Sequence, residues 1–93
     1  MATVYVTFAQ PDSLPILAGS SGLSETITSS GTTASGNILA RSGDVVQVFC
    51  ATTVIARADG TPTATLATGI VCPAGVPTFL RVKQYDRIAV IDP

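Results

Sequence analysis

The chain has 93 residues, enough for one domain, and a domain of that size removes only about 60–65% of its unfolded surface from water, which leaves a marginal core. Charged residues are 12% of it, against roughly 25% in an ordinary soluble domain, while apolar residues reach 46%. The net charge of -1 comes from five scattered cations and six scattered acids, which excludes a nucleic-acid-binding stripe and an acidic tail.

A surface so poor in charge suits burial against other subunits. No apolar run approaches about 18 residues and no basic stretch precedes an apolar segment, so we expect neither a membrane span nor a secretory leader, and a soluble protein made in a cytoplasm. Helix is disfavoured throughout, because no window keeps apolar residues at helical spacing and Gly, Pro, Ser and Thr interrupt everywhere. Thr, Val and Ile dominate, and these β-branched residues fit a pleated strand better than a helix.

The first strand is the clearest. From Ala2 to Ala9, Val4, Val6 and Phe8 share one face and Thr3, Tyr5 and Thr7 the other, a period of two. Gln10-Pro11-Asp12 then turns the chain, and Leu14 to Leu17 is a short apolar piece that Pro15 confines to an edge or an irregular segment. Between Gly19 and Gly36 the chain reads equally as a polar strand around Glu25-Thr26-Ile27-Thr28 or as a long surface loop, with Ser29 to Gly36 the most mobile stretch. Asn37 to Ala40 is short and apolar, and Arg41-Ser42-Gly43-Asp44 turns into Val45 to Cys50, so nearly continuous in apolar residues that it reads as a strand covered on both faces.

Ala51 to Arg57 is the next strand, and Ala58 to Pro62 supplies Asp-Gly turn chemistry. Thr63 to Ala67 and Gly69 to Val71 alternate weakly, Pro73-Ala74-Gly75 turns, Thr78 to Lys83 is a strand, and Gln84-Tyr85-Asp86 leads to a closing strand from Arg87 to Ile91. Short strands at such intervals predict a single all-β domain over residues 1–93, a jelly-roll-like β-sandwich or a small barrel of antiparallel strands.

The chemistry is sparse. Histidine is absent, which removes the commonest general base and zinc ligand, and Asp44, Asp59 and Asp86 each sit in a turn, where carboxylates accept local backbone hydrogen bonds. We therefore expect no catalytic residue, no cofactor site and no metal site. Cys50 and Cys72 lack Cys-x-x-Cys spacing and read as buried free thiols, a single disulfide being the lesser alternative. Tyr5, Phe8, Phe49, Phe79 and Tyr85 are spaced as core fillers and are not interleaved with basic residues, so no base-stacking platform follows. The candidate interface residues are Val4, Val6 and Phe8, as a strand that could add to a neighbour's sheet edge, together with Arg81, Lys83 and Arg87, a cationic group for intersubunit pairing in which Asp86 and Asp92 are available partners.

In the C-terminal part, Gly60-Thr61-Pro62-Thr63-Ala64-Thr65 is followed by Pro73-Ala74-Gly75-Val76-Pro77, Phe79-Leu80-Arg81-Val82 and Asp86-Arg87-Ile88-Ala89-Val90-Ile91. Over roughly residues 41–93 this pattern resembles the small accessory structural proteins of tailed bacteriophages. The Ser/Thr/Gly loop and the two cysteines depart from it. The resemblance implies a β-sandwich or jelly roll, carried as a homotrimer on the outer capsid surface of the virion, whose partners are its own copies and the major capsid protein, with no nucleic acid or membrane. It carries over no catalytic residue. Three readings follow: a capsid decoration or cement protein; a tail, collar or fibre-base component; and a free-standing module that binds a glycan or peptide through residues 20–36.

Overall fold

The computed structural model describes residues 2–11, 19, 22–60, 64–65 and 67–93. Eight strands are present: β1 (Thr3–Ala9), β2 (Leu23–Thr28), β3 (Ala34–Ser35), β4 (Val45–Cys50), β5 (Val54–Asp59), β6 (Ile70–Cys72), β7 (Thr78–Arg81) and β8 (Arg87–Ile91). They form two antiparallel four-stranded sheets, ordered β2-β1-β4-β7 and β3-β8-β5-β6. The expected all-β sandwich is what the chain adopts.

The order of pairing identifies the architecture. β5 pairs with β6, β4 with β7 and β3 with β8, three nested hairpins that alternate between the two sheets. The pairs β1·β4 and β5·β8 then roll this long hairpin closed. That is the winding of a jelly roll, in which successive hairpins fall in opposite sheets that share one core. β1 lies beside β2, in the place a strand following β8 would fill.

Period-two alternation decides what is buried. Ile27, Val4, Val6, Phe8, Val46, Val48 and Cys50 point inward from the first sheet, and Val54, Ala56, Cys72, Ile88 and Val90 meet them from the second. The assignment of Val4, Val6 and Phe8 to an interface is therefore corrected: all three are fully buried, and β1 is hydrogen-bonded on both sides, to β2 and to β4, so it has no free edge to offer a neighbour. The aromatic residues are corrected too. Phe8 alone fills the core; Tyr5, Phe79 and Tyr85 are exposed and Phe49 is half-buried.

Other differences are local. Residues 23–28 form a strand, and Ala34–Ser35 pair with β8 inside the stretch expected to be most mobile. β4 is buried on its inner face, while Gln47 and Phe49 on the other face are only half-covered. The strand expected from Ala51 runs instead from Val54, after a bend at residues 51–52, and β7 stops at Arg81, short of Lys83. The piece expected at Leu14 to Leu17 lies outside the described residues, as do Thr61 and Pro62 of the expected turn and Thr63 and Leu66 of the segment Thr63 to Ala67, whose described residues are not in a strand.

Two polar groups are built into the core boundary. Ser29 is fully buried; its hydroxyl accepts from Ala2 N at 2.8 Å and donates to Asp92 Oδ1 at 2.5 Å, fastening the start of β1 to the chain after β8. Asp44 is also buried and accepts from Gln10 Nε2, from Arg41 N at 2.8 Å and from Arg41 Nε at 3.1 Å. Cys50 and Cys72 are free and buried, the Cys50 thiol donating to the Cys72 carbonyl at 3.5 Å.

Burial pushes both thiols above the ordinary range, because a thiolate would lose its hydration there. Stability is accordingly expected to be level with pH below the ordinary thiol pKa of about 8.5 and to fall above it, since the unfolded chain then releases thiol protons that the native state retains. An aromatic disulfide reagent at pH 8 should label neither thiol in the native protein and both in denaturant. Rapid native labelling of either would contradict the buried placement.

Candidate interaction surface

The two sheets differ in what lies over their outer faces. On the second sheet, Ile55 and Ala89 point away from the shared core and are nonetheless buried. Residues of the following connection pack on this side: Ala64 N donates to Thr33 Oγ1 at 3.0 Å, Arg57 Nη1 donates to the Thr68 carbonyl at 2.9 Å, and Gly69 passes so close that a Cβ there would collide with Ile55 Cγ2. Only glycine permits that approach.

Among the described residues, nothing covers the outer face of the first sheet in the same way. Its registers place Thr26, Tyr5 and Phe49 in one cross-strand row and Ser24, Thr7, Gln47 and Phe79 in the next. Tyr5 and Phe79 are 51% and 47% exposed, and the rings of Tyr5 and Phe49 lie 6.4 Å apart at 40°, a tilted aromatic contact. Phe79 sits one row away from Phe49, within the diagonal reach of large side chains. The Thr7 and Ser24 hydroxyls hydrogen-bond each other at 2.9 Å. The strands contribute one charged side chain to this face, Arg81, at the rim on β7. An aromatic centre with hydroxyls around it and charge only at its border is the composition of a protein-binding patch.

The edges on this side are open as well. β7 and β6 end their respective sheets, and between them lies a cleft of about 340 Å³ lined by Ala56, Arg57, Ala58, Ile70, Leu80 and Arg81. Ile70 and Val71 on β6 are both exposed, as is Val76 in the connection to β7. An edge strand with apolar residues on both faces is a template for pairing with another chain.

The cationic candidates are split. Arg81 and Lys83 are exposed on either side of buried Val82, next to the aromatic face. Arg87 belongs to the other sheet, in register with Asp59, and its Nε is buried without a hydrogen-bond partner. Tyr85, 63% exposed, follows Lys83 in a turn and holds a left-handed φ of 72°. That conformation costs a non-glycine residue about 1–2 kcal/mol, so the turn retains an exposed aromatic side chain at the expense of backbone strain.

The acids behave as turn residues should. Asp44, Asp59 and Asp86 accept from the backbone N–H of Arg41, Gly60 and Lys83, at 2.8, 2.7 and 2.8 Å. Among the described residues no group of three metal-ligating side chains occurs, and no helix is long and apolar enough to cross a membrane. The aromatic face could have been found from the sequence in part, since Tyr5 falls on the threonine side of β1; the contribution of Phe79 depends on the β4·β7 register, which no local pattern encodes.

No family model matches this chain, and neither the curated proteins nor the solved structures contain a match to it.

Proposed function

We propose that this chain is a non-enzymatic structural subunit of a virus particle: a decoration, or cement, protein that assembles as a homotrimer on the outside of a tailed-phage head and bridges coat subunits. The observation that carries this reading is the bare aromatic face of Tyr5, Phe49 and Phe79, on a domain whose other sheet is covered by its own chain. The resemblance over residues 41–93 supports it, and so does the jelly-roll winding, by analogy with a fold that recurs in capsid proteins.

On this reading the aromatic face lies on the coat, and the open β6 edge with Ile70 and Val71 meets other copies. The mechanism is mass action. A subunit that binds the assembled shell and not its separated parts stabilises the shell by about 2.7 kcal/mol per site when present at a hundred times its Kd.

The test is the solution mass of the purified chain together with its co-sedimentation with empty shells of the coat protein encoded by the same genome. A trimer that saturates the shells is expected. The double variant Tyr5→Asp, Phe79→Asp should keep its mass and its β-sheet circular dichroism but bind shells at least tenfold more weakly, as loss of central aromatic anchors does. A monodisperse monomer with no affinity for shells would end the proposal.

A further inference from the structure

A count of where the charges are spent says what this face is built to meet. Every side-chain carboxylate among the described residues already accepts a hydrogen bond within its own chain. Glu25 takes the backbone N–H groups of Asn37 and Ile38 at 2.9 and 2.8 Å, and Asp92 takes the Ser29 hydroxyl. Asp44 and Asp59 are in addition paired with Arg41 and Arg57, and Asp86 is held by Lys83 N.

The cations are not balanced in the same way. Arg41 and Arg57 have intrachain carboxylates, and Arg87 is half-buried on the other sheet in register with Asp59, whereas the side chains of Arg81 and Lys83, both exposed, have none among the described residues. These two uncommitted charges flank Val82 at the end of β7, whose outer edge is unpaired among the described residues and whose Phe79 belongs to the aromatic face. Arg81 also borders the cleft between the sheets.

We infer that the surface docking here presents carboxylates on an extended segment running along the free edge of β7, opposite Arg81 and Lys83, and that it belongs to a different protein from this chain. A second copy has no uncommitted carboxylate among its described residues to bring, and would set Arg81 and Lys83 against like charges, which disfavours the contact. An acidic partner strand satisfies the β7 backbone through main-chain bonds and the two cations through its side chains. The inference rests on the proposed function, in which the partner is the coat subunit, and adds the chemistry of its contact surface.

The experiment compares the wild-type chain, Arg81→Glu/Lys83→Glu and the conservative Arg81→Lys/Lys83→Arg for solution mass and for binding to the same empty shells, at low and at high salt. All three should have the wild-type mass and melting temperature, because both positions are exposed. The charge-reversed variant should bind shells at least tenfold more weakly at low salt, the conservative variant should bind as the wild type does, and high salt should weaken the wild type while hardly changing the reversed form. Wild-type binding that the reversal leaves intact would overturn the acidic-partner inference and leave the proposed function standing. Loss of self-association in the reversed variant would assign the two cations to copy-to-copy contacts and overturn it as well. Failure of the wild type to bind shells at all would remove both.

Discussion

Phe8→Ala is expected to destabilise the domain by about 3–5 kcal/mol, the range for deleting a fully buried phenylalanine that leaves a cavity behind. Phe8 is the one aromatic ring in the core among the described residues, and its register partners Leu23 and Val46, with Leu80 beyond, form a row that spans all four strands of the first sheet. A domain of this length has about 5–14 kcal/mol in total at ordinary per-residue stabilities, so the loss is a large share of it. Urea unfolding followed by circular dichroism gives the difference directly. Phe8→Leu, which conserves most of the volume, should lose far less. A loss below about 1 kcal/mol for the alanine variant would mean that Phe8 does not occupy the centre of the sandwich.

The second large effect is expected from Asp44→Ala, at about 2–3 kcal/mol. The carboxylate is buried and answers three donors: the amide of Gln10 just past β1, and the backbone and guanidinium of Arg41 in the turn before β4. Its removal takes a buried acceptor from part-buried donors, the costly side of hydrogen bonding. The Arg41 side chain is partly solvated and can recover water, which keeps the loss below that of a wholly buried ion pair. Asp44→Asn should be intermediate, because its NH2 brings a donor into a set of donors. Thermal melts of the two variants check the order, and an alanine variant as stable as the wild type would show that the network carries no net free energy.

How much of this could be read from the sequence depended on whether local periodicity was enough. Residues 2–9 alternate, and β1 is where that alternation places it; the strand expected from Arg87 to Ile91 coincides with β8. The turn carboxylates Asp44, Asp59 and Asp86 follow from side-chain chemistry alone and hold the backbone amides expected of them. What failed was inference across strands. Val45 to Cys50 carries too many apolar residues in succession for a period to be visible, and Gln47, half-exposed between buried valines, was the one residue that marked its outer face. Nothing local says that β1 is paired on both sides, so its burial was mistaken for availability. The bare face joins residues 5, 49 and 79, brought together by registers that are a property of the whole roll.

The Ser29 hydroxyl, holding Ala2 on one side and Asp92 on the other, has a consequence for the order in which the strands need to be encoded. With both termini of the roll at one side chain, a short peptide splice between them and a cut in the connection from β1 to β2 yields a circular permutant. In it β1 is translated last, directly after β8, and the nested hairpin is read out in a single unbroken pass without moving any strand from its place.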